Sequence, residues 1–212
     1  EIKKYERQRI KNESTYWLVF ELIWRDYFRF IAKKYGNKLF RLEGIRPDNK
    51  VKWLENKKFF EKWINGETGV PFVDANMREL LETGFMSNRG RQNVASFLTK
   101  DLKINWTWGA MWFESQLLDY DVCSNWGNWT YVAGVGNDPR ENRYFNIISQ
   151  AQRYDPQAEY VKHWLPELLE VPAKKIHQVA ELPIAEQKKY NVIVGVDYPQ
   201  PLVNSTKWVN VH

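Results

Sequence analysis

The sequence predicts a mostly α protein, a cluster of helices followed by an irregular C-terminal arm. Apolar residues recur at spacings of three and four through positions 1–170, the signature of amphipathic helices. Beyond Pro172 that pattern fails, and Pro183, Pro199 and Pro201 punctuate a polar tail. Its one apolar run, Val192-Ile193-Val194, is too short to decide between strand and extended loop. The expected organisation is a helical portion over 1–170 with a tail over 171–212 packed on it.

Each element has its own signal. From Glu1 to about Tyr35, Tyr16, Val19, Phe20, Ile23, Trp24, Tyr27 and Phe28 keep helical spacing, and Gly36 supplies a stop. Residues 37–49 read as connecting chain. A second helix is expected over 51–64, ending at Asn65-Gly66, and a third from Pro71, a favoured first-turn residue, to about Gly84. Helices over 88–102 and 111–122 follow, Gly127, Gly134 and Gly136 mark loops, and 155–169 reads as the last helix. There is no internal repeat and no low-complexity tract.

At 212 residues the chain can bury a core without staples. Hydrophobic residues at 43% and charged residues at 27% are ordinary, but 16% aromatic content, with eleven each of Trp, Tyr and Phe, exceeds what packing demands. A formal charge of +5 is compatible with a polyanionic partner without requiring one. The single cysteine, Cys123, excludes an intramolecular disulfide, fits a reducing compartment and reads as a small buried residue. No run approaches the roughly 20 apolar residues of a spanning helix. The sequons at Asn12, Asn105, Asn128 and Asn204 are expected to be unused, and an opening at Glu1 within a helical pattern reads as a cut inside a longer polypeptide. No metal-ligand cluster is evident.

Three segments carry chemistry. On the first helix Glu21, Trp24, Arg25 and Phe28 fall on one stripe, an acid, an indole and a guanidinium together. The bland alternative is an intrahelical Glu-Arg pair, worth a few tenths of a kcal/mol. In Asn88-Arg89-Gly90-Arg91-Gln92-Asn93 two arginines flank a glycine at a helix start, where fork-shaped donors and the positive helix end favour an anion. The third segment, Asp119 to Trp129 (D-Y-D-V-C-S-N-W-G-N-W), combines paired carboxylates, an amide and indoles.

As a set these segments resemble the FAD-binding helical domain of the photolyase and cryptochrome family. The resemblance runs through E-L-I-W-R-D (Glu21 to Asp26), G-V-P-F-V-D-A-N-M-R-E-L (Gly69 to Leu80), T-G-F-M-S-N-R-G-R (Thr83 to Arg91), A-S-F-L-T-K-D-L (Ala95 to Leu102) and Asp119 to Trp129. Family members that repair (6-4) lesions carry histidines where Asn88 and Gln92 stand here. Gln92 with Tyr131, the segment Gly134 to Asn146 and the tail Tyr190 to Pro201 are similar to the cryptochrome DASH branch.

The resemblance implies FAD as cofactor, with Leu18, Arg25, Asn88, Arg91, Asp119 and Asp121 at flavin contacts and Asn125 facing the flavin N5. It implies an electron-transfer chain of Trp129, Trp106 and Trp53, leaving Trp17, Trp63, Trp108 and Trp112, with Trp126 and Cys123, to packing. It places Glu21, Trp24, Arg25, Phe28, Asn88, Arg89, Gln92, Tyr131, Arg143 and Gln150 around an extruded pyrimidine dimer, with Glu21 sharing a proton and Arg89 and Arg143 holding phosphates. The family's N-terminal α/β domain, which carries an antenna pterin or folate, and its early phosphate-binding helical segment are absent from this chain. The implied activity is blue-light repair of cyclobutane dimers by a deoxyribodipyrimidine photo-lyase, preferring single-stranded DNA, with damaged DNA and RNA as related partners. A photoreceptor or nucleic-acid-binding module without repair, and an inactive fragment, stay open. The implied state is a monomer, or a piece paired with the rest of its own chain, in the cytoplasm of a bacterium or the chloroplast or mitochondrion of a eukaryote.

Overall fold

The structure, a computed structural model, describes residues 1–46, 51–138 and 143–204. The end of the connecting chain at Asn49 and part of the segment Gly134 to Asn146 lie outside the described residues. The fold is helical as expected: α1 (Ile2–Gln8), α2 (Glu13–Tyr35), α3 (Lys57–Ile64), α4 (Pro71–Thr83), α5 (Asn88–Ser96), α6 (Trp106–Gln116), α7 (Val122–Ala133), α8 (Ile147–Tyr154), α9 (Glu159–Trp164), α10 (Ala173–Ile176) and α11 (Ile184–Lys189).

Several boundaries differ from the sequence expectation, each for a local reason. The first helix is two, because Asn12 caps α2: its side chain accepts from the Thr15 N–H at 3.1 Å while the Thr15 hydroxyl accepts from the Asn12 N–H at 3.3 Å. α3 begins at Lys57 instead of about Val51, because Leu54 pairs with the chain ahead of α6 (Leu54 N to Lys103 O, 2.8 Å; Asn105 N to Leu54 O, 3.0 Å) and Asn56 caps the helix. α4 keeps its expected bounds, from Pro71 in the first turn to Gly84 in the left-handed conformation at φ 68°.

α5 passes into a π turn over Phe97–Asp101 instead of continuing regularly to Leu102. The helix expected over 111–122 is replaced by α6 and α7, separated by 117–121, and Gly127 lies inside α7 instead of marking a loop. That glycine lets α2 come close: a Cβ there would lie 2.2 Å from the Phe28 ring. The helix expected over 155–169 is broken at Ala158, which has φ 56°, and again at Pro166; Asp155 caps α9 by accepting from the Tyr160 and Val161 N–H groups at 3.1 and 2.9 Å.

The core gathers α3 to α7, with Trp63, Phe97, Leu98, Ile104, Trp106 and Phe113 shut off from solvent. The arm contributes as well, burying Ile176, Val179, Val192 and Tyr198. It is fastened to the loop before α4. Asp74 is fully buried and accepts from the Thr68 N–H (2.8 Å), the Thr68 hydroxyl (2.6 Å), the Gly69 N–H (3.0 Å) and the Tyr198 hydroxyl (2.5 Å), while Leu202 N donates to Thr68 O (2.9 Å). Burial pushes the Asp74 carboxyl up from its usual range, against the pull of those donors.

Candidate functional site

α2 supplies one wall of the candidate site. Trp17, Phe20, Glu21, Trp24, Arg25 and Phe28 sit on one face, the periodicity that a helix imposes on positions 17, 21, 24 and 28. Their rings pack in series: Trp17 and Phe20 edge to face at 5.3 Å, Phe20 and Trp24 at 6.3 Å, Trp24 and Phe28 stacked at 5.7 Å. Of this face only Phe28 is buried. Trp17, assigned to packing by default, is instead half-exposed and lines the site.

The second wall is the start of α5. Ser87 caps it by accepting from the Gly90 N–H at 3.0 Å, so Asn88, Arg89, Arg91 and Gln92 project from the first turns. Gly90 is required by close packing, since a Cβ would fall 2.0 Å from Asn76 Oδ1. Arg89 Nη1 donates to Gln92 Oε1 at 2.8 Å, and its guanidinium lies 4.9 Å from the centre of the Tyr154 ring. Arg91 donates from Nη2 to both oxygens of Asp119 at 3.0 Å and from Nε to Met86 O at 2.8 Å.

The third wall is the turn into α7. Asp121 caps the helix through the Ser124 N–H at 2.9 Å. Burial alone would raise this carboxyl, but the Ser124 donors and Arg29, 3.7 Å away, outweigh it and hold it below the usual range. Asn125 is 9% exposed and donates one amide N–H to Ala110 O at 2.9 Å, which turns its nitrogen towards α6 and leaves its oxygen as an acceptor for a ligand.

These walls enclose a cavity of about 690 Å³. It brings together fourteen of the singled-out residues: Glu21, Trp24, Arg25 and Phe28 from α2; Asn88, Arg89, Arg91 and Gln92 from α5; Asp119, Asp121, Asn125, Trp129 and Tyr131 from the turn and α7; and Arg143. Leu18 is not among the lining residues; it is 53% exposed and faces a shallower cleft with Tyr5 and Asn12. Gln150, on α8, also lies outside the lining.

Trp129 lines the cavity at its inner end and is buried against Phe113 (5.1 Å) and Trp63 (6.2 Å), both edge to face. Its ring leans on α6 at Gly109, where a Cβ would lie 2.3 Å from it, one turn beyond Trp106. Trp106 is fully buried, donates to Leu42 O at 3.0 Å and meets Trp126 edge to face at 5.7 Å. Trp53 is half-buried beside the Leu54 pairing that precedes α6. Cys123, expected to be buried, is only half-buried.

Sequence reasoning missed Phe113, Ser124, Asn128 and Phe145 among the lining residues, and Asp138 behind them. Trp17 and Phe20 could have been found by extending the α2 stripe one turn upstream. Phe113 and Phe145 carry no local signal, because they reach the cavity through tertiary packing.

Residues 17–210 match the family described as the FAD binding domain of DNA photolyase. The chain belongs to this photolyase and cryptochrome family. It is 63% identical over 204 residues to the cryptochrome DASH of Synechocystis sp., covering 96% of this chain and 42% of that protein. To the cryptochrome DASH of Xenopus laevis it is 56% identical, over 98% of this chain and 40% of that one. A solved Synechocystis cryptochrome superposes with a TM-score of 0.93 over 98% of this chain and 43% of its own, at 61% identity. A bacterial class III photolyase from Agrobacterium tumefaciens superposes at 0.87 over 98% of this chain and 43% of its own, at 35% identity. The chain thus spans about two-fifths of the relatives it matches, and its similarity runs to the cryptochrome DASH branch.

FAD is the cofactor of the matched family, and the cavity fits part of such a group. Its apolar inner surface at Ala95, Phe113 and Trp129 suits a flat ring system, the Asn125 oxygen suits a ring N–H donor, and Arg25, Arg91, Asp119 and Asp121 suit polar substituents. Among the described residues no cluster suits a metal ion, and no helix is long and apolar enough to cross a membrane.

Proposed function

We propose that this chain forms the substrate-facing part of a blue-light-driven, FAD-dependent enzyme that splits cyclobutane pyrimidine dimers, preferentially in single-stranded DNA. The observation that carries the reading is that Glu21, Trp24, Asn88, Arg89, Gln92 and Arg143 open onto the same cavity as Asn125 and Trp129. When bound, reduced FAD supplies the electron that opens the dimer ring and takes it back afterwards.

The chain's own residues perform the remaining tasks. Arg25, Asn88, Arg91, Asp119 and Asp121 hold the cofactor. The Asn125 oxygen would offer the flavin N5–H an acceptor without adding negative charge, so a reduced anion would not be opposed. Trp24 and Phe28 give an extruded dimer an aromatic side wall. Extrusion costs a few kcal/mol, least where the strand is already single. Arg89 and Arg143 meet phosphates, and Glu21, exposed at the cavity wall, shares a proton with the dimer carbonyls as charge develops on them. Trp129, with Trp106 and Trp53, would carry electrons towards the cavity.

A second reading, a blue-light receptor without repair, is favoured by the edge-to-face contact of Trp129 with Trp63, a buried ring outside the cavity lining. The experiment that decides combines this chain, FAD and a dimer-containing single-stranded oligonucleotide under blue light. Loss of dimers supports repair. Structured flavin absorption bands and photoreduction without loss of dimers support the receptor, and no flavin bands sinks both readings for this chain. Cytoplasm in a bacterium, or chloroplast or mitochondrion in a eukaryote, is the proposed compartment; an Arabidopsis thaliana relative carries the last two in its name.

A further inference from the structure

Behind the cavity wall formed by Tyr131 and Arg143, one buried carboxylate holds both side chains in a single arrangement. Asp138 is 2% exposed, and its Oδ2 accepts from Arg143 Nε at 2.5 Å. Arg143 Nη2 reaches the Tyr131 hydroxyl at 3.3 Å, and its guanidinium carbon sits 4.9 Å from the centre of the Tyr131 ring. That ring meets Trp24 edge to face at 6.0 Å. Asp138 is itself fixed from behind, since Arg46 donates to its backbone carbonyl at 2.8 Å. Lys100, tied to Ala133 O at 3.1 Å, faces the same carboxylate and adds positive field.

We propose that Asp138 is a positioning residue that clamps Arg143 against Tyr131, making the pair a rigid platform for an extruded pyrimidine dimer. A free arginine side chain carries about 2 kcal/mol of rotamer entropy, which ordering on a ligand would otherwise consume. Guanidinium planes and aromatic faces are the surfaces on which unstacked bases pack. Without the clamp Arg143 is still a cation near the strand, but it is no longer a wall. The inference rests on the repair reading above and adds a residue that does not touch the substrate.

Two roles for Asp138 predict opposite signs. If the carboxylate acts only through its charge, Asp138→Asn removes a negative group beside a polyanion site, and affinity for every oligonucleotide rises together. If it positions Arg143, affinity for a dimer-containing oligonucleotide falls while affinity for the undamaged strand holds or rises. The test is fluorescence anisotropy of this chain with labelled single-stranded oligonucleotides of equal length, with and without one thymine dimer.

Asp138→Asn is expected to lower affinity for the dimer strand by about fivefold or more, the size of one weakened base contact, with no loss for the undamaged strand. Tyr131→Phe, which keeps the ring and removes the hydroxyl, should give a smaller loss of the same kind, and the double variant should be no worse than Asp138→Asn. Unchanged discrimination in Asp138→Asn, or a parallel gain for both strands, overturns the inference. If Asp138→Asn loses its helical circular dichroism, Tyr131→Phe decides by the same criterion. No discrimination by the unsubstituted chain would sink the repair reading itself, and this inference with it.

Discussion

Asn125 donates its amide N–H to the Ala110 carbonyl, and that one bond decides what the side chain can offer the cavity. With the nitrogen tied back, the oxygen can only accept, and it does so without formal charge. Asn125→Asp should therefore disfavour a bound anion. A carboxylate at a 9%-exposed position would repel it by about one pKa unit's worth of energy, roughly 1.4 kcal/mol, so affinity for reduced, anionic flavin should fall about tenfold. A reductive titration of the FAD-loaded chain reads this as a lower midpoint potential, and an unchanged midpoint would refute the role. The amide's role was legible only through the resemblance of the segment Asp119 to Trp129 to the family's motif. The bond that orients it was not, since Ala110 contributes only a backbone carbonyl from a different helix.

The junction of α2 and α7 depends on one missing methyl group. Gly127 lies in mid-helix, where glycine normally costs about 1 kcal/mol against alanine, and it is used because the Phe28 ring occupies the space of a Cβ. Gly127→Ala should reverse the usual helix preference and destabilise by about 1–3 kcal/mol through overpacking. Thermal melting checks this, and a raised melting temperature would contradict the packing. The same residue shows where sequence reading failed. A glycine between polar and aromatic neighbours reads as a loop when only local propensity is weighed, whereas its reason here is a ring 99 positions earlier. Elements with strong local punctuation, such as α4 between Pro71 and Gly84, were fully legible. Breaks set by tertiary partners were not, as with Leu54 bridging to Ile104 ahead of a shortened α3. Asp138 was missed for a different reason: its partner Arg143 is only five positions on, but nothing in the local pattern marks the two as a pair.

Across the molecule, the C-terminal arm makes stability depend on pH. His177 follows α10 and packs edge to face on Phe72 at 6.4 Å, with Asp155 nearby. Neither ring nitrogen has a hydrogen-bond partner among the described residues. Burial pushes its pKa below the ordinary 6.5, with Asp155 only partly opposing. Well above pH 6.5 the ring is neutral in both folded and unfolded chains and has no effect on stability. As pH falls through 6.5 the unfolded chain binds the proton first, so stability should drop by at most about 1.4 kcal/mol per pH unit until the folded ring also titrates. Urea unfolding between pH 7 and 5 measures the slope, which His177→Gln should flatten.

The clasp between Tyr198 and Asp74 has a further consequence for how the chain is made. Their side chains meet across 124 positions of sequence, so all of the intervening chain must be synthesised before the Tyr198 hydroxyl can reach that carboxylate. Until then Asp74 has only Thr68 and Gly69 as local donors, and the first turn of α4 keeps an incompletely satisfied charge that favours hydration over burial. The helices that wall the cavity, α2, α5 and α7, all precede Tyr198 in the chain, so the clasp closes only after they have been made.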